Sequence, residues 1–123
     1  MSESIKSYRD LVVWQSGIEL AKTAYTLTRA FPRDELYGMT SQIRRASTSI
    51  PANIAEGYGR DSTGQFIQFL RVAQGSLKEL ETHMIVATKV GLATAADTDR
   101  LLTHCEELGR MLRALIRTLE AKS

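Results

Sequence analysis

The chain has a single cysteine, Cys105, so neither an internal disulfide nor a zinc site built on cysteine pairs can form within one copy. Prolines number only two and aromatic residues make up 7% of the chain, which argues against a β-sandwich or barrel and leaves helix as the expectation. No apolar run approaches the roughly 20 residues that a membrane-spanning helix needs. The opening MSESIKSYRD lacks the apolar core of a signal peptide, so a cytoplasmic protein is expected. A strong excess of one charge is also missing: 16 basic residues stand against 14 acidic ones, well short of the basic excess of a dedicated nucleic-acid binder. What remains is a chain of 123 residues that fits one domain, 1–123, with one substantial core.

Apolar residues then recur at alternating steps of three and four, the mark of a helical seam. The spacing predicts four helices, at about 8–31, 34–58, 62–91 and 94–120. The first carries Leu11, Trp14, Ile18, Ala21, Tyr25 and Thr28 and is stopped by Pro32. Asp34 and Glu35 supply an acidic start to the second, whose seam is Leu36, Met39, Ile43, Ala46, Ile50 and Ile54. It fades into Gly57-Tyr58-Gly59, where glycine permits the left-handed backbone that ends helices. Ser62 and Gln65 form a capping box for the third, with the seam Phe66, Leu70, Ala73, Leu77, Leu80, Met84 and Ala87 and a stop at Gly91-Leu92. Thr94 caps the fourth, which carries Leu101, Cys105, Leu108, Leu112, Leu115 and Leu119. Short connections force neighbouring helices to run antiparallel, so the expected fold is all-α, an up-down-up-down four-helix bundle.

Two features exceed what a lone bundle needs. The first helix has a second apolar row: Val13, Gly17, Leu20, Ala24, Leu27 and Phe31. A broad core stripe would account for it, but a small monomer would otherwise expose a large apolar patch, so the row is expected to be an oligomer interface. Off-seam Ile67, Phe69, Val72, Ile85, Val86 and Val90 widen the third helix in the same way. The second feature is SQIRRASTSIPANIAEGYG, from Ser41 to Gly59. Pro51 removes a backbone donor and clashes with the preceding turn, while Ser47, Thr48 and Ser49 offer hydroxyls to nearby backbone groups. A kinked but continuous helix is expected, with a break and restart as the alternative. Arg45, Ser49, Asn53 and Glu56 follow at helical steps and form a polar stripe, expected to be a structural network against Lys78, Glu79 and Glu81 of the third helix. The alternative is a ligand or phosphate site using Arg44, Arg45 and Arg60.

Catalytic chemistry finds little support. A bundle-held metal pair needs two Glu-x-x-His motifs, and His83 and His104, the only histidines, lack that spacing to a glutamate. Both are expected to flank the core as hydrogen-bonded residues. Cys105 lies on a core seam, where a thiol is inert. Gly57, Gly59 and Gly64 follow a helix rather than a strand and lack the lysine of a phosphate-binding loop. Neither a catalytic residue, nor a metal ligand, nor a cofactor is assigned.

Four strings carry a resemblance: YRDLVVW with Trp14; FPRDELYGMTSQIRRA, Phe31 to Ala46; SIPANIAEGYGR, Ser49 to Arg60; and FIQFLRVAQGSLKELET, Phe66 to Thr82. Together they resemble the bacterial four-helix-bundle family named for proteins encoded in intervening sequences of 23S ribosomal RNA genes, from about Tyr8 to Leu119. The fourth helix matches chiefly in apolar spacing. The resemblance implies a ring-like homopentamer of bundles without established enzymatic activity. It also implies kinship with the accessory protein of diversity-generating retroelements, which works beside a reverse transcriptase and contacts nucleic acid.

The expected function is therefore that of a non-enzymatic, homo-oligomeric interaction or scaffold protein, with RNA, DNA or a nucleic-acid enzyme as partner and no membrane. Candidate phosphate contacts are Arg44, Arg45 and Arg60 near the polar stripe, Arg71, Lys78 and Lys89 on the third helix, and Arg110, Arg113 and Arg117 on the fourth. The competing expectation is a ring that binds a small ligand in a central pore or an intersubunit cleft.

Overall fold

The computed structural model describes residues 4–122. Four helices dominate: α1 (Val12–Thr28), α2 (Met39–Tyr58), α3 (Thr63–Lys89) and α4 (Ala95–Lys122). α1 packs on α2 and α4, and α3 packs on the same two, which gives the square cross-section of an up-down-up-down bundle. Successive helices therefore run in opposite directions. One end of the bundle gathers the end of α1, the start of α2, the end of α3 and the start of α4.

The helix ends follow local chemistry. Ser7 and Asp10 form a capping box around a 3₁₀ turn, Tyr8–Asp10, so the regular helix starts only after Leu11, whose backbone is extended. The predicted start at residue 8 is thus corrected to Val12. Asp34 and Glu35 belong to a second 3₁₀ turn, Arg33–Glu35, rather than to α2. The Glu35 carboxylate still serves α2, because it accepts the Met39 amide at 3.1 Å. Ser62 Oγ accepts the Gln65 amide, and Thr94 Oγ1 accepts that of Asp97. Gly91 has φ of +85°, and the Leu92 and Gly91 amides return to the carbonyls of Ala87 and Thr88, the paired bonds of a Schellman stop. Gly59, by contrast, has φ of −80°, so the left-handed end expected there is absent.

α2 is continuous through Pro51, which is buried. The neighbouring hydroxyls bond to backbone carbonyls of the preceding turn: Ser47 and Thr48 to Arg44, and Ser49 to Ala46. The break-and-restart alternative does not occur.

The core is built from the seams of α2, α3 and α4 much as the spacing predicts. Ile43, Ile50, Ile54, Leu70, Leu77, Leu80, Met84, Leu101, Cys105, Leu108 and Leu112 are all fully buried. Each large aliphatic side chain there stabilises the fold by about 1.5–3 kcal/mol through loss of apolar contact with water. On α4, Ile116 is buried in preference to Leu115 and Leu119.

α1 requires a correction. Val13, Gly17, Leu20, Ala24 and Phe31, expected as an intersubunit face, are buried within the single chain, with Leu20 at 0% exposure, and Leu27 packs half-buried against them. The row expected inside turns partly outward: Ile18 and Tyr25 are each 39% exposed, and Leu11 and Trp14 are half-buried. The reason is steric. A Cβ added at Gly17 would lie 3.3 Å from Pro51 Cβ, so α2 approaches α1 where the row of small residues leaves room. Ala21 and Thr28 complete the buried arc.

Candidate interaction surfaces

The outward side of α1 exposes Ile18 and Tyr25, while Leu11 and Trp14 of the same row are half-buried against the core and Tyr8 packs edge-on to Trp14 at 5.3 Å between ring centroids. α3 carries a second outward row, Val72, Ser76, Glu79, His83, Val86 and Val90, at alternating steps of four and three. Its three valines are exposed, as is Ile85. On α1, by contrast, the exposed apolar residues are Ile18 and Tyr25 rather than the row from Val13 to Phe31. Ile67 is a further correction, because it is buried in the core.

The candidate basic residues do not converge on one site. Arg44 and Arg45 lie near the start of α2, whereas Arg60 lies beyond its far end, roughly 20 Å away at ~1.5 Å of rise per residue. The three-arginine phosphate site is therefore not assembled. Arg60 pairs with Glu56 at 2.8 Å and its guanidinium stacks over Phe69 at 4.8 Å. Arg71 pairs with Glu120 at 2.6 Å, and Lys78 with Glu81 at 3.3 Å. Lys89, Arg110, Arg113 and Arg117 are exposed on the outer faces of α3 and α4.

Arg44 is the most strongly positioned. Its Nε donates to Thr28 Oγ1 at 2.9 Å, and its guanidinium lies 4.5 Å over the Tyr25 ring. Beside it, Arg45, Tyr25, Leu36 and Tyr37 line a surface depression of about 410 Å³. A second depression shares Leu36, Thr40 and Arg44 with the first and is completed by Arg29, Arg33 and others. Tyr37, at 94% exposure, is the most solvent-exposed large hydrophobic side chain among the described residues. Tyr37, Arg29 and Arg33 were missed in the sequence because they sit off every seam. The signal that could have found them is the density of basic and aromatic residues from Tyr25 to Arg45.

The polar stripe on α2 is not the buried network expected. Arg45 and Glu56 are exposed, Ser49 and Asn53 are half-buried, and the bonds they make stay on their own segment. Ser49 donates to the Ala46 carbonyl, Asn53 to the Ser49 carbonyl, and Glu56 accepts from Arg60. Lys78 and Glu81 likewise pair with each other. The close approach of α3 falls beside the stripe, at Gly57, where an added Cβ would lie 2.5 Å from Phe69 Cβ.

Of the two histidines, His104 ties α4 to α1 through Ser16 Oγ at 3.0 Å, as a hydrogen-bonded flank. His83 differs from expectation, since its Nε2 is buried without a partner. Burial pushes the Cys105 thiol up to about 12, with Glu81's charge adding to the shift and Lys78 opposing it, so the thiolate is not formed at neutral pH. Among the described residues no group of three or more His, Cys, Asp or Glu side chains could hold a metal ion, and no helix is long and apolar enough to cross a membrane.

Fold and surfaces together define a helical bundle whose distinctive groups face outward from a closed core. The pattern of the 23S rRNA-intervening sequence protein family matches residues 9–114, and the chain belongs to that family. Among solved structures, it is similar to a Bacteroides thetaiotaomicron protein of unknown function from the S23 ribosomal protein family. That likeness has a TM-score of 0.76 and 25% sequence identity, and covers 85% of this chain and 98% of the other. No curated protein matches the chain.

Proposed function

We propose that this is a non-enzymatic, homo-oligomeric interaction protein that serves in the cytoplasm as a nucleic-acid-associated adaptor. The observation that carries the reading is the set of large apolar side chains left in water after the bundle core is complete: Ile18 and Tyr25 on α1, and Val72, Ile85, Val86 and Val90 along α3. Apolar side chains exposed together on a helix face mark an interaction site. The two exposed groups lie on different helices, so joining one to the other is a head-to-tail contact, which closes into a ring when the rotation permits. That logic agrees with the ring-like homopentamer implied by the family resemblance. Arginines on the outer faces would be multiplied by such assembly, which strengthens a modest basic character toward phosphate.

Light scattering coupled to size-exclusion chromatography tests the assembly. A mass near five times the 13.7 kDa chain is expected. The variants Ile18→Glu and Val86→Glu should each lower that mass while retaining helical circular dichroism. A monomeric wild-type chain at micromolar concentration would overturn the proposal.

A further inference from the structure

We infer that the corner where α1 ends and α2 begins is a binding site for single-stranded nucleic acid, with Tyr37 as its stacking platform. This rests on the nucleic-acid part of the proposed function and is independent of the assembly part. Tyr37 stands on the turn before α2 with 94% of its surface in water, so its ring presents a face that the fold itself does not use. A base stacked on such a ring contributes about 1–3 kcal/mol regardless of its identity. Around it lie Arg29, Arg33, Arg44 and Arg45, lining two depressions that share Leu36, Thr40 and Arg44 and so form one continuous surface.

The charge of this corner favours a polyanion. Between Tyr25 and Arg45 the chain carries four arginines against two carboxylates, Asp34 and Glu35, and Glu35 is engaged with the Met39 amide. Arg44 is already oriented by Thr28 and Tyr25, so little side-chain freedom is lost when it meets a phosphate. A planar fork of donors suits phosphate oxygens, and an exposed ring beside it suits an unstacked base. A duplex keeps its bases stacked inside and offers Tyr37 none, so single strands are the matching partner. An acidic peptide would satisfy the arginines but would leave the tyrosine without a role.

The test is fluorescence anisotropy of labelled twelve-nucleotide oligo-dT and oligo-rU, with a hairpin duplex and a labelled oligo-glutamate for comparison, across a salt series. Single strands should bind more tightly than the duplex or the peptide, with affinity falling steeply as salt rises. Tyr37→Ala should weaken single-strand binding by about five- to a hundredfold, and Tyr37→Trp should retain it. Arg33→Gln and Arg45→Gln should each reduce the salt dependence by about one phosphate contact. Thermal melts of these exposed-residue variants should match wild type, which separates a lost site from a lost fold. Equal affinity in wild type and Tyr37→Ala overturns the site. Duplex or oligo-glutamate bound as tightly as single strands also overturns it. Absence of binding to any nucleic acid at low salt overturns both this site and the adaptor role, and leaves the mass measurement of assembly standing by itself.

Discussion

Gly17 of α1 and Pro51 of α2 meet so closely that a Cβ built on the glycine would lie 3.3 Å from the proline Cβ and 3.4 Å from its Cδ. The contact joins two residues that weaken helices elsewhere. Gly17→Ala gains about 1 kcal/mol of helix propensity but presses on a rigid ring, so the terms nearly cancel. It should change stability by less than about 1 kcal/mol. Gly17→Leu cannot be accommodated and should lose at least about 2 kcal/mol. Urea unfolding at fixed protein concentration measures both, and a leucine variant as stable as wild type would contradict the packing described.

Two glycines in the α2–α3 region should respond in opposite directions. At Gly57, an added Cβ would lie 2.5 Å from Phe69 Cβ and 3.1 Å from Phe66 Cδ1, and the Phe69 atom is the root of its side chain and cannot swing away. Gly57→Ala should therefore destabilise by about 1–3 kcal/mol. Gly75, within α3, has nothing within 4 Å of such a Cβ. Gly75→Ala should stabilise by up to about 1 kcal/mol. Thermal melts of the pair would show the contrast, and two shifts of the same sign would refute it.

The orientation of α1 makes a third pair. Leu20 is fully buried and Ile18 is partly in water, although both lie on rows of equal regularity. Leu20→Ala should cost about 2–5 kcal/mol through lost burial and a residual cavity. Ile18→Ala should cost well under 1 kcal/mol in the folding of one chain. Chemical denaturation of the two variants on a dissociated background such as Val86→Glu would decide, and comparable losses would mean that α1 is rotated from the orientation described.

That pair also marks what was legible in the sequence. α2, α3 and α4 each have one dominant seam, so Ile43, Leu77 and Leu108 could be placed inside from spacing alone. α1 has two, and periodicity cannot choose between them; the deciding fact is the approach of Pro51 to Gly17, a tertiary contact. The stripe of Arg45, Ser49, Asn53 and Glu56 was legible as a row but not as a site, because each hydroxyl or amide can bond its own helix as readily as a neighbour. Tyr37 belongs to no repeating pattern, and its exposure follows from the turn between two 3₁₀ and α-helical segments rather than from its neighbours in sequence.

Cys105 yields a pH dependence whose sign can be derived. Its thiol rises from an ordinary 9.0 to about 12 in the folded chain because burial penalises the thiolate. Below pH 9 both states keep the proton and the full stability is present. Between pH 9 and 12 the unfolded chain releases it while the native state holds it, so stability falls as pH rises, by at most about 1.4 kcal/mol per unit. The comparison is with Cys105→Ala, whose pH dependence lacks this contribution. The stability advantage of wild type over the alanine variant should shrink by about 1 kcal/mol between pH 8 and pH 10 in urea melts. Native-state alkylation by iodoacetamide at pH 8 should be slow and should accelerate on unfolding. A difference between the two proteins that stays flat across that pH range, together with rapid native labelling, would place the thiol in water and contradict its position on the α4 seam.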